Sequence, residues 1–384
     1  MPDFRFLCKD GCGLLGQFGT IFRGVCGMGH MAGALEFASD NVQGAHEAIL
    51  AAITGANSGT AASYGADEWT GRAEAALSAL FGRKVGAFLV LTGSAANSLA
   101  LSALVAPHGG VLCHREAHIN TDECGMPELF TGGAKLIGMK GAGAKLTPAT
   151  LEARLSQFVR GEHEVKPQAL SITQATELGT VYSPAEVKAL ADVAHAHGLR
   201  LHMDGARFAN AVAGLGCEPA DITWKAGVDV LSFGGTKNGA LLLEAVVFFD
   251  EALAADFKFR RKRAGQLYSK GRFLGAQMEA YLKDGLWLAN ARHANAMAKR
   301  LAEGLAAVPG VRLPLPTQAN EVFPILPKRL HAALLAAGAH YYDWPGDGPG
   351  TDKVAEDEVF ARFVTGFRTR AEDVDGLIAL ARKM

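Results

Sequence analysis

The sequence predicts an α/β protein, with a mostly parallel sheet covered on both faces and a smaller α+β region after it. Three observations carry this prediction. From about Glu36 onward, short apolar runs alternate with helical patterns. The runs are continuously apolar, as in strands buried on both sides. Each run ends in a polar or glycine-rich cluster, where ligands of parallel sheets bind.

The elements follow in order. Residues 85–91 read as a strand, and Thr92-Gly93-Ser94 opens a helix over 95–105. Short strands are expected at 111–113, 135–138 and 170–173. Ser183-Pro184-Ala185-Glu186 reads as a helix start, with a serine cap, proline in the first turn and glutamate at the third position. That helix is expected to stop at Gly198. Residues 199–203 and 228–233 are strands, and a further apolar run covers 243–249. Two long helical stretches are expected over 250–283 and 286–307. The tail then reads as a strand near Glu321, a helix over 328–337, a strand over 359–366 and a last helix from Ala371. The expected organisation is a large domain over 34–283 and a small one over 284–384. Residues 1–33 show no sustained periodicity and are expected to lie outside the fold, as a disordered or artefactual extension. Residues 344–358, rich in Gly, Pro and Asp, read as a loop.

Composition narrows the function classes. The chain has 384 residues, enough to bury a core without disulfide or metal staples. Net charge is −1, so there is no electrostatic footprint for nucleic acid or an anionic membrane. Six scattered cysteines form no C-x-x-C pair, which favours a reducing cytoplasm over a zinc site. Glycine is abundant at 46 residues, and glycine serves tight turns and close backbone approach.

The strand-end clusters carry the chemistry. In order they are Thr92-Gly93-Ser94, the stretch from His114 to His118, Gln174-Ala175-Thr176, Asp204-Gly205-Ala206-Arg207 and Gly234-Gly235-Thr236-Lys237. No G-x-G-x-x-G follows the first strand and there is no Walker lysine, against dinucleotide and nucleotide-triphosphate readings. A lysine, an acid and a phosphate-sized nest at a helix start are what pyridoxal 5'-phosphate needs. The amine bonds the aldehyde, the carboxylate keeps the ring nitrogen protonated, and backbone N–H groups take the phosphate. Asp204 precedes Lys237 by one β–α–β spacing, so neighbouring strands can bring them together. Each signal has a bland counterpart: a lysine after a strand is commonly a solvated loop residue, and Asp-Gly is commonly a turn.

Eight motifs in order resemble the low-specificity L-threonine aldolases, of the fold-type I group of pyridoxal-phosphate enzymes. They are Phe37-Ala-Ser-Asp-Asn41, Tyr64-Gly-Ala-Asp-Glu-Trp69, Thr92-Gly-Ser-Ala-Ala-Asn97, Glu116-Ala-His-Ile-Asn-Thr-Asp-Glu123, Gln174-Ala-Thr-Glu-Leu-Gly179, His202-Met-Asp-Gly-Ala-Arg207, Phe233-Gly-Gly-Thr-Lys-Asn238 and Ala361-Arg-Phe-Val364. The resemblance runs from about Glu36 to the C-terminus. It implies a large domain with a mostly parallel seven-stranded sheet, and retro-aldol cleavage of β-hydroxy-α-amino acids to glycine and an aldehyde.

It also implies roles. Lys237 becomes the Schiff-base lysine and Asp204 the partner of the pyridine nitrogen. Arg207 sits beside the cofactor's phenolic oxygen or the substrate, and an ion pair with Asp204 is its structural alternative. Gly93, Ser94 and Thr236 take the phosphate, with Lys262 as a phosphate-reaching cation and Gln174 as a further cofactor contact. His118 stacks on the ring and is a candidate base, with Glu123 orienting it or a water. Ser39 and Arg362 clamp the substrate carboxylate, for which the planar guanidinium is suited. Tyr64 reaches the site of a neighbouring subunit in a dimer-built, tetrameric enzyme. Where the chain reads Gln174-Ala175-Thr176 and Thr236-Lys237-Asn238, many relatives carry Glu-Asn-Thr and Ser-Lys-Gly. The rival readings are another fold-type I enzyme (a β-eliminating lyase or racemase) and a cofactor-binding protein without turnover. His195 and His197 read as surface residues on a helix.

Overall fold

The computed structural model describes residues 35–344 and 353–384. The expected extension over 1–33 lies outside the described residues, as does most of the expected loop.

A short strand, β1 (Leu35–Glu36), leads to helices α1 (Glu47–Ala56) and α2 (Glu68–Leu80). The central region then alternates strand and helix: β2 (Gly86–Val90), α3 (Gly93–Leu104), β3 (Gly109–His114), α4 (His118–Thr121), α5 (Met126–Thr131), β4 (Lys135–Met139), α6 (Pro148–Leu155) and β5 (Lys166–Thr173). It continues with α7 (Pro184–Ala196), β6 (Arg200–Gly205), α8 (Phe208–Leu215), β7 (Val230–Gly234) and β8 (Glu244–Phe248). Strands β2 to β8 form one sheet of order β2-β8-β7-β6-β5-β3-β4. Pairings among β3, β4, β5, β6 and β7 are parallel, and β8 runs antiparallel to both its neighbours. This is the predicted fold class. Each of the seven apolar runs is a strand of this sheet.

Local chemistry sets the helix ends. Ser183 and Glu186 form a reciprocal capping box at α7, with Pro184 in the first turn. Thr92 caps α3 by accepting from the amide of Ala95 at 3.2 Å. The expected helix over 250–283 is instead broken into α9 (Phe257–Arg263) and α10 (Arg272–Leu282). Gly265 between them has φ +72°, a left-handed conformation that ends a helix. Next comes α11 (Leu286–Ala306). The tail adds β9 (Glu321–Val322), β10 (Ile325–Pro327), α12 (Lys328–Ala336), β11 (Ala339–His340), β12 (Tyr342–Asp343), β13 (Glu358–Val364) and α13 (Ala371–Lys383). β13 pairs antiparallel with β9, β10 and β12, while β1 pairs parallel with β11. This last pairing joins the first described strand to the tail.

Two cores matter for the site. Beneath β7 lies an aromatic cluster of Phe81, Phe208, Phe233, Phe249, Tyr281 and Trp287, with the Phe81 and Phe249 rings 5.1 Å apart. Burial of each large apolar side chain is worth roughly 1.5–3 kcal/mol, so this cluster anchors the strand that ends at the lysine. The second core packs Phe37 with Phe363 and the inner faces of α11 and α13. It holds the residues after β1 against β13.

Candidate active site

Lys237 lies in a tight turn, 236–238, directly after β7. The turn is braced from below. Asn238 Nδ2 donates to Tyr281 Oη at 2.7 Å and to the Trp287 carbonyl at 2.8 Å. Asn290 donates back to the Asn238 carbonyl at 2.9 Å. Glu244 accepts from the amides of Gly235 and Thr236, at 3.3 and 3.4 Å, and burial pushes its carboxyl up to about 7. Burial, and then the Arg207 cation, hold the Lys237 amine below its ordinary range, which favours the neutral nucleophile.

Asp204 ends β6, next to β7 in the sheet and in register with Ser232. Acid and lysine therefore sit on neighbouring strand ends, as the spacing predicts. Asp204 is buried; its Oδ1 accepts from the Ala206 amide at 3.0 Å and its Oδ2 from Asn97 Nδ2 at 2.8 Å. The same Asn97 nitrogen donates to Glu123 Oε1 at 2.9 Å. Its two protons suffice for both bonds. Glu123 Oε1 lies 2.9 Å from His118 Nδ1, which completes the chain Asp204–Asn97–Glu123–His118. The hydrogen bond to Glu123 raises the His118 pKa above its ordinary value, while burial raises that of Glu123. Glu177 holds the start of α4 by accepting from the His118 amide at 3.0 Å and the Thr173 hydroxyl at 2.7 Å. Burial pushes its carboxyl up to about 7.

The glycines divide by cause. A Cβ on Gly205 would meet the Ser232 carbonyl oxygen at 2.6 Å, and one on Gly234 the Ala206 carbonyl oxygen at 2.5 Å. Close approach of β6 and β7 requires both, with no ligand invoked. At Gly93 a Cβ would meet nothing within 4 Å. Gly93 and Ser94 form the first turn of α3, whose leading backbone N–H groups have no partner within the helix. That arrangement fits a phosphate. Thr236 Oγ1 is tied to the backbone of Leu243. Gln174 is fully buried, and its side-chain amide pairs with the backbone of Tyr182 at 2.8 and 2.9 Å.

The other end of the site is built from distant sequence. Ser39 caps the turn 40–42 by accepting from the Asn41 amide at 3.1 Å. Arg207 binds Asp40 through two bonds, Nε to Oδ2 at 2.8 Å and Nη2 to Oδ1 at 3.1 Å. Its Nη2 lies 3.5 Å from Glu321 Oε1. The alternative ion pair with Asp204 gives way to these two acids, which sequence reasoning missed. Asp40 stood within a quoted motif, but nothing there named its partner. Burial works against the charge on Asp40, and the cations of Arg207 and Lys237 outweigh it, so its carboxyl lies below the ordinary range. Arg362, on β13, donates Nη2 to the Ala38 carbonyl at 3.2 Å and lies over the Trp344 ring at 4.2 Å. Tyr64 and Lys262 lie against each other, the ammonium 4.6 Å from the ring centre. Tyr64 is exposed and adopts φ 58°.

The chain is similar to several known proteins. A family model described as Beta-eliminating lyase matches residues 36–327. A low specificity L-threonine aldolase of Pseudomonas sp. (strain NCIMB 10558) is 48% identical over 314 residues, covering 82% of this chain and 90% of that protein. An alanine racemase of Cochliobolus carbonum is 28% identical over 201 residues, 52% of this chain and 50% of that protein. The solved structure of Leishmania major threonine aldolase matches with a TM-score of 0.84 at 29% identity, covering 91% of this chain and 98% of the other. The chain belongs to the beta-eliminating lyase family and, within it, to the low-specificity L-threonine aldolases.

Proposed function

We propose that the protein cleaves L-threonine, L-allo-threonine and related β-hydroxy-α-amino acids between Cα and Cβ, giving glycine and an aldehyde, with pyridoxal phosphate as cofactor. The observation that carries this reading is the chain Asp204–Asn97–Glu123–His118 beside Lys237, within a sequence 48% identical to an aldolase over 90% of its length.

Lys237 would hold the cofactor through its aldehyde, Asp204 would keep a proton at the ring nitrogen, and the first turn of α3 would hold the phosphate through Gly93 and Ser94. Thr236 and Lys262 would support the phosphate, and Gln174, whose side chain pairs with the Tyr182 backbone, would be the further cofactor contact. When bound, the cofactor supplies an electron sink for the pair released as the Cα–Cβ bond breaks. Arg362 and Ser39 hold the substrate carboxylate, with Arg207 beside them, and so orient the bond to be broken. His118 would stack its ring on the bound cofactor. With Nδ1–H donated to Glu123, its Nε2 is left to accept the β-hydroxyl proton, directly or through a water. Loss of that proton turns the carbinol carbon into the departing aldehyde. Cα takes up a proton and glycine leaves.

Exposed Tyr64, next to Lys262, is the residue that reaches a neighbouring subunit in the proposed dimer-built homotetramer. Free thiols at Cys113, Cys124 and Cys217 support a reducing, cytoplasmic setting. Among the described residues no helix is long and apolar enough to cross a membrane. The proposed domain division runs near residue 283, between α10 and α11.

The test is a panel of threonine, allo-threonine and phenylserine given to the holoenzyme, with the visible spectrum recorded alongside. The expected products are aldehyde and glycine. Ammonia with a keto acid would establish a β-eliminating lyase instead, and D-amino acid from L-alanine a racemase. A cofactor spectrum with no product from any of these would leave a binding protein.

A further inference from the structure

The carboxylate end of the site contains an acid that the proposed chemistry does not use. Glu321, on β9, is buried, and among the described residues it is the carboxylate with both oxygens enclosed and neither hydrogen-bonded. Arg207 Nη2, at 3.5 Å, is its nearest cation. The guanidinium of Arg362 acts on it from β13 and the amine of Lys237 from the turn after β7; Asp40 is the like charge opposing it. Its backbone is held tightly. The strand pairs Glu321 with Val364, and a Cβ on Gly179 would meet Glu321 Cβ at 3.1 Å. The base of the Glu321 side chain is thus fixed between β13 and Gly179. Close by, Arg362 Nε and Asn320 Oδ1 are also buried without a hydrogen-bond partner.

Charge arithmetic gives this acid a purpose. Apart from the Lys237 amine, which burial holds toward its neutral form, Asp40 and Glu321 carry two negative charges, and Arg207 and Arg362 carry two positive ones. The cluster is neutral when both acids are ionised. A substrate carboxylate entering between the arginines adds one negative charge in a place with little water to screen it. Asp40 cannot release that charge, because two bonds from Arg207 hold it ionised. Glu321, without a bond to either oxygen, can.

We propose that Glu321 is a specificity-determining residue: it is the resident counter-anion of the two-arginine pocket, and it gives way by taking up one proton when a substrate carboxylate binds. Binding is then an exchange of anions, one neutralised as another arrives. Carboxylate ligands are favoured when the proton is available, and uncharged analogues such as amino-acid amides gain nothing from it. Burial, which favours the neutral form of Glu321, supports the direction. The proposal rests on the reading that Arg362 and Arg207 hold the substrate carboxylate.

The test uses the holoenzyme and glycine, the product of the proposed reaction. Glycine affinity is measured by calorimetry across pH, in two buffers of different ionisation enthalpy. Wild type should take up one more proton per glycine than Glu321→Gln. Above the titration of Glu321, its Kd should rise by up to tenfold per pH unit relative to the variant, the limit for one linked proton. Glu321→Gln keeps the side chain's shape while removing its titration. Glu321→Asp should restore the pH dependence. Equal proton uptake in wild type and Glu321→Gln overturns the proposal. Arg362→Leu separates the two layers. If it leaves glycine affinity unchanged, the carboxylate reading itself fails; if it weakens glycine while Glu321→Gln changes nothing, only the proposal about Glu321 fails.

Discussion

The two ends of the site differ in how completely their polar groups are bonded. At the Asp204 end, one asparagine nitrogen joins two buried acids, and a histidine closes the chain. The exceptions there are Asn97 Oδ1 and Glu177 Oε2. At the Asp40 end, Asp40 is paired, but both oxygens of Glu321, Arg362 Nε and Asn320 Oδ1 are buried without bonds. Each such group costs about 1–3 kcal/mol when left unmade. Under the proposed function the difference is one of task. The first end is organised before chemistry starts, as electrostatic preorganisation demands. The second is a place where a charged ligand can complete the bonding.

The sharpest way to break this contrast is at the lysine. Lys237→Ala should abolish the visible cofactor absorbance and lower turnover by at least about 10³-fold, since a covalent partner is lost. A variant with unchanged spectrum and rate would show that the bonded end is not the cofactor end. Next in size is Arg362→Leu. It removes a charge-assisted, fork-shaped contact, so KM for threonine should rise on the order of 100-fold with a smaller change in kcat. A drop confined to kcat would move Arg362 from binding to chemistry and remove the distinction between the ends.

The bonded end was far more legible in the sequence than the open one. Lys237 and Asp204 follow consecutive apolar runs, and a parallel sheet delivers consecutive strand ends to one edge. His118 and Glu123 are close in sequence, so one short helix and its exit bring them together. Asn97 was inside a quoted motif, but no spacing reveals that its amide spans two acids from other elements. At the open end, Asp40 and Arg207 are 167 positions apart and Asp40 and Asn320 are 280 apart. Contacts at that range leave no local period, and only resemblance pointed to Ser39 and Arg362. Glu321 had no signal beyond the strand expected around it. The break near Gly265 was missed because the apolar pattern on either side is helical, while the glycine's left-handed φ is a matter of the backbone.

A smaller effect probes the chain within the bonded end. Glu123 raises the proton affinity of His118, so His118 loses its basic form as pH falls through a value above 6.5. Glu123→Gln removes that influence. The acid limb of the kcat/KM profile should then move to lower pH, with the cofactor spectrum unchanged. Asn97→Ala should move both, because it also strips a bond from Asp204. It should lower stability by about 2 kcal/mol for the loss of bonds to charged groups. An acid limb that stays in place in Glu123→Gln would rule out His118 as the titrating base.

The smallest expected effect supplies the control. His195 and Asp229 form a second histidine–carboxylate pair, 2.8 Å apart against 2.9 Å for His118 and Glu123, and each histidine side chain is 39% exposed. His195 lies exposed on α7, as expected of a surface residue, and its partner Asp229 also accepts from Arg200 and the Leu201 amide. Its bond to Asp229 raises the His195 pKa above 6.5 in the folded state. The stabilisation is therefore fully present below 6.5 and fades as pH rises through the folded value. Half-solvated pairs are worth less than about 1 kcal/mol. Denaturant unfolding of His195→Ala should show a deficit of that size near pH 6, little at pH 9, and unchanged kcat at both. A matched geometry with no catalytic consequence would then measure what a histidine–carboxylate pair does as structure alone. Any effect of His118→Ala beyond it belongs to the link through Asn97 and to the chemistry at Nε2. If His195→Ala instead lost more stability at pH 9 than at pH 6, the sign of the linkage would be wrong. The same inference for His118 would then fall with it.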